Sequence, residues 1–303
     1  MVLRILVTGA GGFLGRRLTR ALGARPESAL TLVDRVAIDH PGAMAGDLTD
    51  PAFVDHLAAQ RFDSIFHLAA SLTLEAEQDP AAAYATNVEP LRRLIERSPG
   101  SRIVFTSSIA VFGGALPDRV DDTIRAAPAT TYGAHKAINE LLLADASRRG
   151  RIDGRVLRLP ILLTRPGAPT RAVSDRVAAI LREPLAGRDT TCPLAPETRL
   201  PVASAGAVAA ALVALHDLPA AALPPSRAMN LPSLTVRVAD MIAAVERRGA
   251  SGRVTGRVTL APEPALQAIV DGWPKQFTSE IATRLGLHAD ADLDALIEDH
   301  LRG

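Results

Sequence analysis

A short apolar run at residues 4–8 leads directly into Thr8-Gly9-Ala10-Gly11-Gly12-Phe13-Leu14-Gly15. Gly9, Gly12 and Gly15 recur at intervals of three, and helical periodicity covers residues 12–22. A strand that enters a helix through glycines leaves the turn bare of side chains. Backbone N–H groups and the positive end of the helix then face whatever lies above, which suits a pyrophosphate. With 22 glycines in the chain a triplet alone means little; its place between strand and helix is what counts. The second strand ends at Val33-Asp34, where a carboxylate can accept from the hydroxyls of an adenosine ribose. An acid there repels a 2′-phosphate and favours NAD over NADP, although Arg35 beside it could bind that phosphate. The competing reading of Asp34 is a solvent-facing strand end.

The rest of the first half repeats this alternation. Apolar strands are expected at 29–33, 64–69, 102–107 and 155–159, with helices at 51–59, 80–97 and 131–148. Continuous apolar strands between helices indicate an α/β protein, a Rossmann-type doubly wound parallel sheet covered on both faces. After Pro160 the pattern loosens, with Pro and Gly breaks at 165–169, 223–225 and 261–264. Short helices are expected near 172–182, 204–215, 238–248 and 291–301. The expected division is a dinucleotide-binding domain at 1–165 and a smaller α+β, mainly substrate-binding domain at 166–303. Residues 203–230 would return to the first domain.

The formal charge of +1 gives no general pull toward nucleic acid or membrane. Cys192 is the one cysteine, which excludes an internal disulfide and a multi-thiolate metal site. No Cys, Asp or His stands at ligand spacing from His67, so a structural histidine and no metal are expected. The apolar runs are too short for a signal peptide or a membrane span. A cytoplasmic protein is the expectation.

The chain has two tyrosines and two lysines, and one of each falls in Tyr132-Gly133-Ala134-His135-Lys136. Four residues apart on a helix, the two side chains share a face with Cβ atoms about 6 Å apart. A phenol titrates near ~10 in water, and a neighbouring ammonium favours its phenolate. The alternative is an ordinary amphipathic helix with a surface lysine.

Together, Gly-x-x-Gly-x-x-Gly and Tyr-x-x-x-Lys make the chain resemble an extended short-chain dehydrogenase/reductase, the group of nucleotide-sugar epimerases and their relatives, over nearly its whole length. The resemblance implies a Ser-Tyr-Lys catalytic set. In Phe105-Thr106-Ser107-Ser108-Ile109-Ala110-Val111-Phe112-Gly113, register against the Val-Phe-Gly turn gives the serine role to Ser108, with Tyr132 and Lys136 completing the set. It further implies NAD contacts from Gly9, Gly12, Phe13, Leu14, Gly15, Asp34, Asp47, Leu48, Leu68, Ala69, Ala70, Tyr132, Lys136 and Pro160. Asn87 matches a helix asparagine that braces the serine strand and lines the cofactor site. A homodimer through helices 80–97 and 131–148 is expected on the same ground.

Dehydratases of this group carry Asp-Glu where this chain has Ile109-Ala110, and sugar-nucleotide epimerases usually carry an Asn where it has Pro160 and aliphatics. A smaller substrate is implied. The chain is most similar to a branch that oxidises the 2-hydroxyl of a four-carbon sugar acid, D-erythronate. That likeness is carried by SIAVFGG at 108–114, RLPILLTRPG at 158–167, REPLA at 182–186, NLPSLTV at 230–236 and IVDGWPKQF at 269–277. A sugar acid needs a cation for its carboxylate; Arg199 is the first candidate, Arg165 the second, and Thr73 a hydroxyl contact beside Ser108 and Tyr132. The competing readings are a nucleotide-sugar 4-epimerase with retained NAD, and a nicotinamide-sensing binding protein without chemistry.

Overall fold

In the computed structural model, residues 2–163 and 172–302 are described. The strands that shape the site are β1 (Leu3–Thr8), β2 (Ser28–Asp34), β3 (Ala43–Ala45), β4 (Ser64–His67) and β5 (Arg102–Ser108). They are followed by β6 (Arg119–Val120), β7 (Asp153–Leu159), β8 (Ile161–Leu162), β9 (Thr190–Cys192), β10 (Arg199–Ala203) and β11 (Ala228–Asn230). Seven of these form one sheet in the order β11-β7-β5-β4-β1-β2-β3, with every pairing parallel.

Alternation along β1 explains why the sheet is covered twice. Ile5 and Val7 face one side, packing with Leu18 and Leu22 of α1 (Phe13–Gly23). Leu6 faces the other, in a cluster with Val54 and Leu57 of α2 (Pro51–Ala59). Both layers exclude water from the strands, which parallel sheets require.

After α3 (Thr73–Gln78), the single helix expected at 80–97 is two, α4 (Pro80–Asn87) and α5 (Glu89–Arg97). Pro90 has no N–H to give, and its ring meets the carbonyl four residues back, so the chain breaks at Val88, where φ is −111°. The next helix, α6 (Thr131–Arg148), starts where Thr130 accepts from the N–H of Gly133.

Past β7, the chain forms α7 (Val173–Leu185) and then α8 (Ala205–Asp217), which comes back to the sheet. Val208, Leu212 and Leu215 of α8 share the apolar layer of α1. The fully buried Arg155 of β7 closes the end of α8, donating to the carbonyls of Leu215, His216 and Leu218 at 2.6, 2.8 and 2.6 Å. Those carbonyls have no intrahelical donor, so a buried guanidinium there is satisfied rather than stranded. β11 then pairs beside β7, Ala228 against Val156.

A third cluster gathers Phe112, Ile161, Ile180, Leu200 and Val236 with Met241 and Phe277. Around it lie β12 (Leu234–Arg237) and α9 (Val238–Ala250), followed by β13 (Val258–Leu260), α10 (Pro264–Asp271) and β14 (Gln276–Phe277). β10 pairs with both β8 and β12, and β14 with β6. Two short helices, α11 (Glu280–Arg284) and α12 (Leu293–Leu301), end the described chain. No helix among the described residues is long and apolar enough to cross a membrane.

Candidate active site

The glycine turn is shaped by close approach. Gly9 has φ +72°, and a Cβ there would lie 2.7 Å from the N of Ala69. A Cβ on Gly15 would lie 2.2 Å from the carbonyl oxygen of Gly9, so α1 can sit this near β1 only with glycine at that place. Gly12 caps α1 without a side-chain hydrogen bond, and its first turn carries no acid. The cradle is bare and electropositive, and it fits a dinucleotide pyrophosphate. Phe13 and Leu14 open the helix at the same place.

Around this turn the structure assembles most of the expected cofactor residues. Asp34 Oδ2 accepts from the N–H of Gly11 at 2.9 Å, and its Oδ1 from that of Val36 at 3.2 Å. The carboxylate therefore stands beside the glycine turn at the end of β2. Leu68 N–H donates to Thr8 O at 3.1 Å, which brings Leu68 and Ala69 against Gly9, with Ala70 next in the chain. Asp47, after β3, is tied to the N–H and hydroxyl of Thr49 at 2.9 and 2.8 Å, and those bonds hold its carboxyl below the usual range. Leu48 beside it packs at the edge of the apolar layer. Pro160 is buried between β7 and β8.

Asn87 does not brace the serine strand. Its Oδ1 accepts from the N–H of Ser71 at 2.7 Å and its Nδ2 donates to Ser71 O at 3.0 Å, so it holds the loop after β4. The helix break after Asn87 leaves its backbone carbonyl to accept from Asn139 Nδ2 at 2.7 Å.

The three expected catalytic side chains converge at the end of β5. Ser108 and Ser107 point apart: the hydroxyl of Ser107 is buried and donates to Glu140 Oε1 at 2.5 Å, while Ser108 faces Tyr132 and acts to lower its pKa. Ser108 Oγ also accepts from the N–H of Ala110 at 3.1 Å. This approach depends on Gly133, where a Cβ would lie 2.0 Å from the carbonyl oxygen of Ala110. The sequence reading passed over Gly133; its signal was a glycine inside the first turn of a helix, a costly choice without a packing reason.

Lys136 differs from expectation. Its Nζ donates to Thr106 O at 2.7 Å, 4.5 Å above the centre of the Phe105 ring and 5.5 Å from that of Tyr132. Burial pushes its ammonium down to about 7, against an upward pull from Glu140. Burial likewise pushes the Tyr132 phenol up to about 12, with only the neighbouring Ser108 hydroxyl acting downward. Thus Lys136 does not lower the phenol here, and burial sets the direction of its shift.

Of the other expected substrate residues, Thr73 and Arg199 are described. Thr73 is exposed at the start of α3. Arg199 pairs with Asp118 at 2.6 Å, and Lys275 meets the same carboxylate at 3.1 Å. Arg165 lies outside the described residues. Among the described residues no group of three His, Cys, Asp or Glu is placed to hold a metal. His67 bonds Thr8 Oγ1 at 2.8 Å through Nδ1, and burial holds it neutral, down to about 3.

A bare glycine turn at the end of β1, an acid at the end of β2 and a Ser-Tyr-Lys cluster at the end of β5 define a Rossmann-type dinucleotide enzyme site. The chain belongs to the NAD dependent epimerase/dehydratase family, whose model matches residues 5–230, and its cofactor is NAD. It is 41% identical to D-erythronate dehydrogenase of Cupriavidus necator over 99% of this chain and 98% of the relative. It is 34% identical to D-erythronate dehydrogenase of Haemophilus influenzae, covering 99% of both. Among solved structures it resembles a nucleoside-diphosphate-sugar epimerase of Agrobacterium tumefaciens, with TM-score 0.90 and 34% identity over 99% of this chain and 94% of that one.

Proposed function

We propose that this chain is a dehydrogenase that oxidises the 2-hydroxyl of D-erythronate or a closely related sugar acid to the 2-oxo acid. The observation that carries the chemistry is the convergence of Tyr132 and Ser108 at the strand end, with Lys136 buried behind them. Full-length similarity to two relatives of that name carries the substrate class.

Bound NAD supplies the hydride acceptor and a positively charged ring. Tyr132 takes the proton of the 2-hydroxyl, and Ser108 holds the same oxygen so that the proton and hydride leave in one alignment. The phenol at about 12 must be brought down in the loaded site, and the Lys136 ammonium is the residue available for that. Asp34 and the glycine turn would hold the adenosine and pyrophosphate ends.

Arg199 would meet the substrate carboxylate, exchanging Asp118 for it. Arg165 and Thr73 are secondary contacts in this reading. The proposal includes residues 1–165 as the cofactor-binding domain and 166–303 as the mainly substrate-binding one. It also includes a cytoplasmic location and a homodimer through α4–α6, where Leu141 is 71% exposed and Tyr84 40%.

The second reading, a nucleotide-sugar 4-epimerase, is favoured by the name of the Agrobacterium structure. An epimerase retains its reduced cofactor within the cycle, whereas a dehydrogenase releases it. Four- and five-carbon sugar acids incubated with NAD should give stoichiometric NADH, with D-erythronate among the best. Interconversion of UDP-sugars without net NADH would establish the epimerase instead. A non-catalytic sensor would show NAD binding and neither activity.

A further inference from the structure

One buried charge cluster lies outside the proposed chemistry. Glu140 stands one helical turn beyond Lys136 on the inner face of α6 and is 6% exposed. Arg158 of β7 grips it with two prongs, Nε to Oε1 at 2.9 Å and Nη2 to Oε2 at 2.7 Å. Ser107 of β5 donates to Oε1 at 2.5 Å. Arg158 is itself buried, with its guanidinium 5.1 Å from the centre of the Phe112 ring and Nη1 3.5 Å from Asn230 Oδ1. A buried ion pair of this kind is a poor way to stabilise a fold, since apolar residues of the same volume often serve as well or better.

Its place suggests another use. Tyr132, Lys136 and Glu140 occupy three successive turns of α6 and face three successive residues of β5. Tyr132 meets Ser108, Lys136 the carbonyl of Thr106, and Glu140 the hydroxyl of Ser107. We propose that Glu140 is a positioning residue, whose carboxylate, fixed by Arg158 and Ser107, is the counter-charge of the buried Lys136 ammonium.

Lys136 needs such a partner. It is 3% exposed, with the Phe105 ring and the Thr106 carbonyl against Nζ. The titratable groups around it offer little else. Tyr132 is a neutral phenol in this state, and His67 of β4 is kept neutral by burial and by the Lys136 charge itself. His135 turns toward Asn87 and the edge of Tyr84 on α4. Arg158 from β7 is the remaining charge, and it is committed to Glu140. Among the described residues, Glu140 is the anion that favours the charged lysine. Without it, burial would leave Lys136 neutral near pH 7 and Tyr132 without a cation beside it. That consequence for turnover rests on the dehydrogenase reading; the charge state of Lys136 does not.

The chain has two lysines, so selective ¹³C-lysine labelling gives two side-chain signals. Lys275, paired with Asp118 at the surface, serves as the internal control. In the Glu140→Gln variant, Lys136 should titrate at least about one pH unit lower than in the wild type, with Lys275 unmoved. Glu140→Asp should restore much of the difference. Because Gln leaves Arg158 buried and unpaired, Glu140→Gln/Arg158→Gln is measured beside it and should show the same fall in Lys136. An unchanged Lys136 titration in either folded variant overturns the proposal. In turnover, the alkaline limb of the kcat profile should move down with the lysine while KM for NAD changes less than kcat. A lowered lysine with an unchanged rate profile would instead overturn the part assigned to Lys136 in the dehydrogenase reading, leaving the counter-charge assignment standing.

Discussion

At the scale of single residues, the site depends on a few polar groups held where water is scarce. Tyr132→Phe removes the proposed base and leaves the glycine turn intact. It should lower kcat by about 10²–10⁴-fold with NAD affinity nearly unchanged, as steady-state rates and cofactor titration would show. Asp34 presents a carboxylate beside the turn, bonded to Gly11 N–H. Asp34→Ala should weaken NAD and narrow the preference against NADP, because the ribose acceptor and the repulsive charge vanish together. Equal affinities for each cofactor before and after would remove Asp34 from ribose recognition. Arg199 tests the acid end of the substrate. Its pairing with Asp118 is partly exposed, so a substrate carboxylate can compete for it. Arg199→Ala should raise KM for the sugar acid by about tenfold or more and leave neutral polyols nearly indifferent. Equal losses on both substrate types would make Arg199 structural.

At the scale of elements, two junctions set the geometry. α1 meets β1 through Gly15, and α6 meets the turn after Ser108 through Gly133. A methyl group in place of the Gly133 hydrogen would press into the Ala110 carbonyl, so helix and turn must separate. Gly133→Ala should therefore cost about 1–3 kcal/mol of stability in a denaturant melt and lower kcat well beyond that, since Tyr132 rides on the displaced turn. A stable variant with full activity would mean that Ser108 and Tyr132 tolerate more separation than this account allows. The break before Pro90 is a third junction of consequence, since it ends α4 with Asn87 beside the Ser71 loop.

At the scale of the whole molecule, burial of bases ties stability to pH. His67 is neutral in the fold down to about 3 and titrates near 6.5 when free, so below 6.5 the unfolded chain binds the proton first. Its contribution is complete above about 6.5 and is lost between 6.5 and 3, at up to ~1.4 kcal/mol per pH unit. Melting temperatures of His67→Gln should accordingly fall less steeply with acid than those of the wild type; parallel curves would sink this account. Much of the molecule is nonetheless legible in its sequence. Most strands and helices of the first half, the glycine turn and Asp34 follow from local periodicity and turn chemistry, which neighbouring residues determine by themselves, and resemblance to a family adds Ser108 to the Tyr-Lys spacing. What only the tertiary structure decided are relations between distant segments. Arg158 and Glu140 are 18 residues apart, and only the packing of α6 on the sheet pairs them. Asn87 finds Ser71 rather than the serine strand for the same reason, and Arg199 finds Asp118 from 81 residues away. The raised Tyr132 and lowered Lys136 are likewise consequences of desolvation, a property of the enclosing fold that the spacing of two residues does not carry.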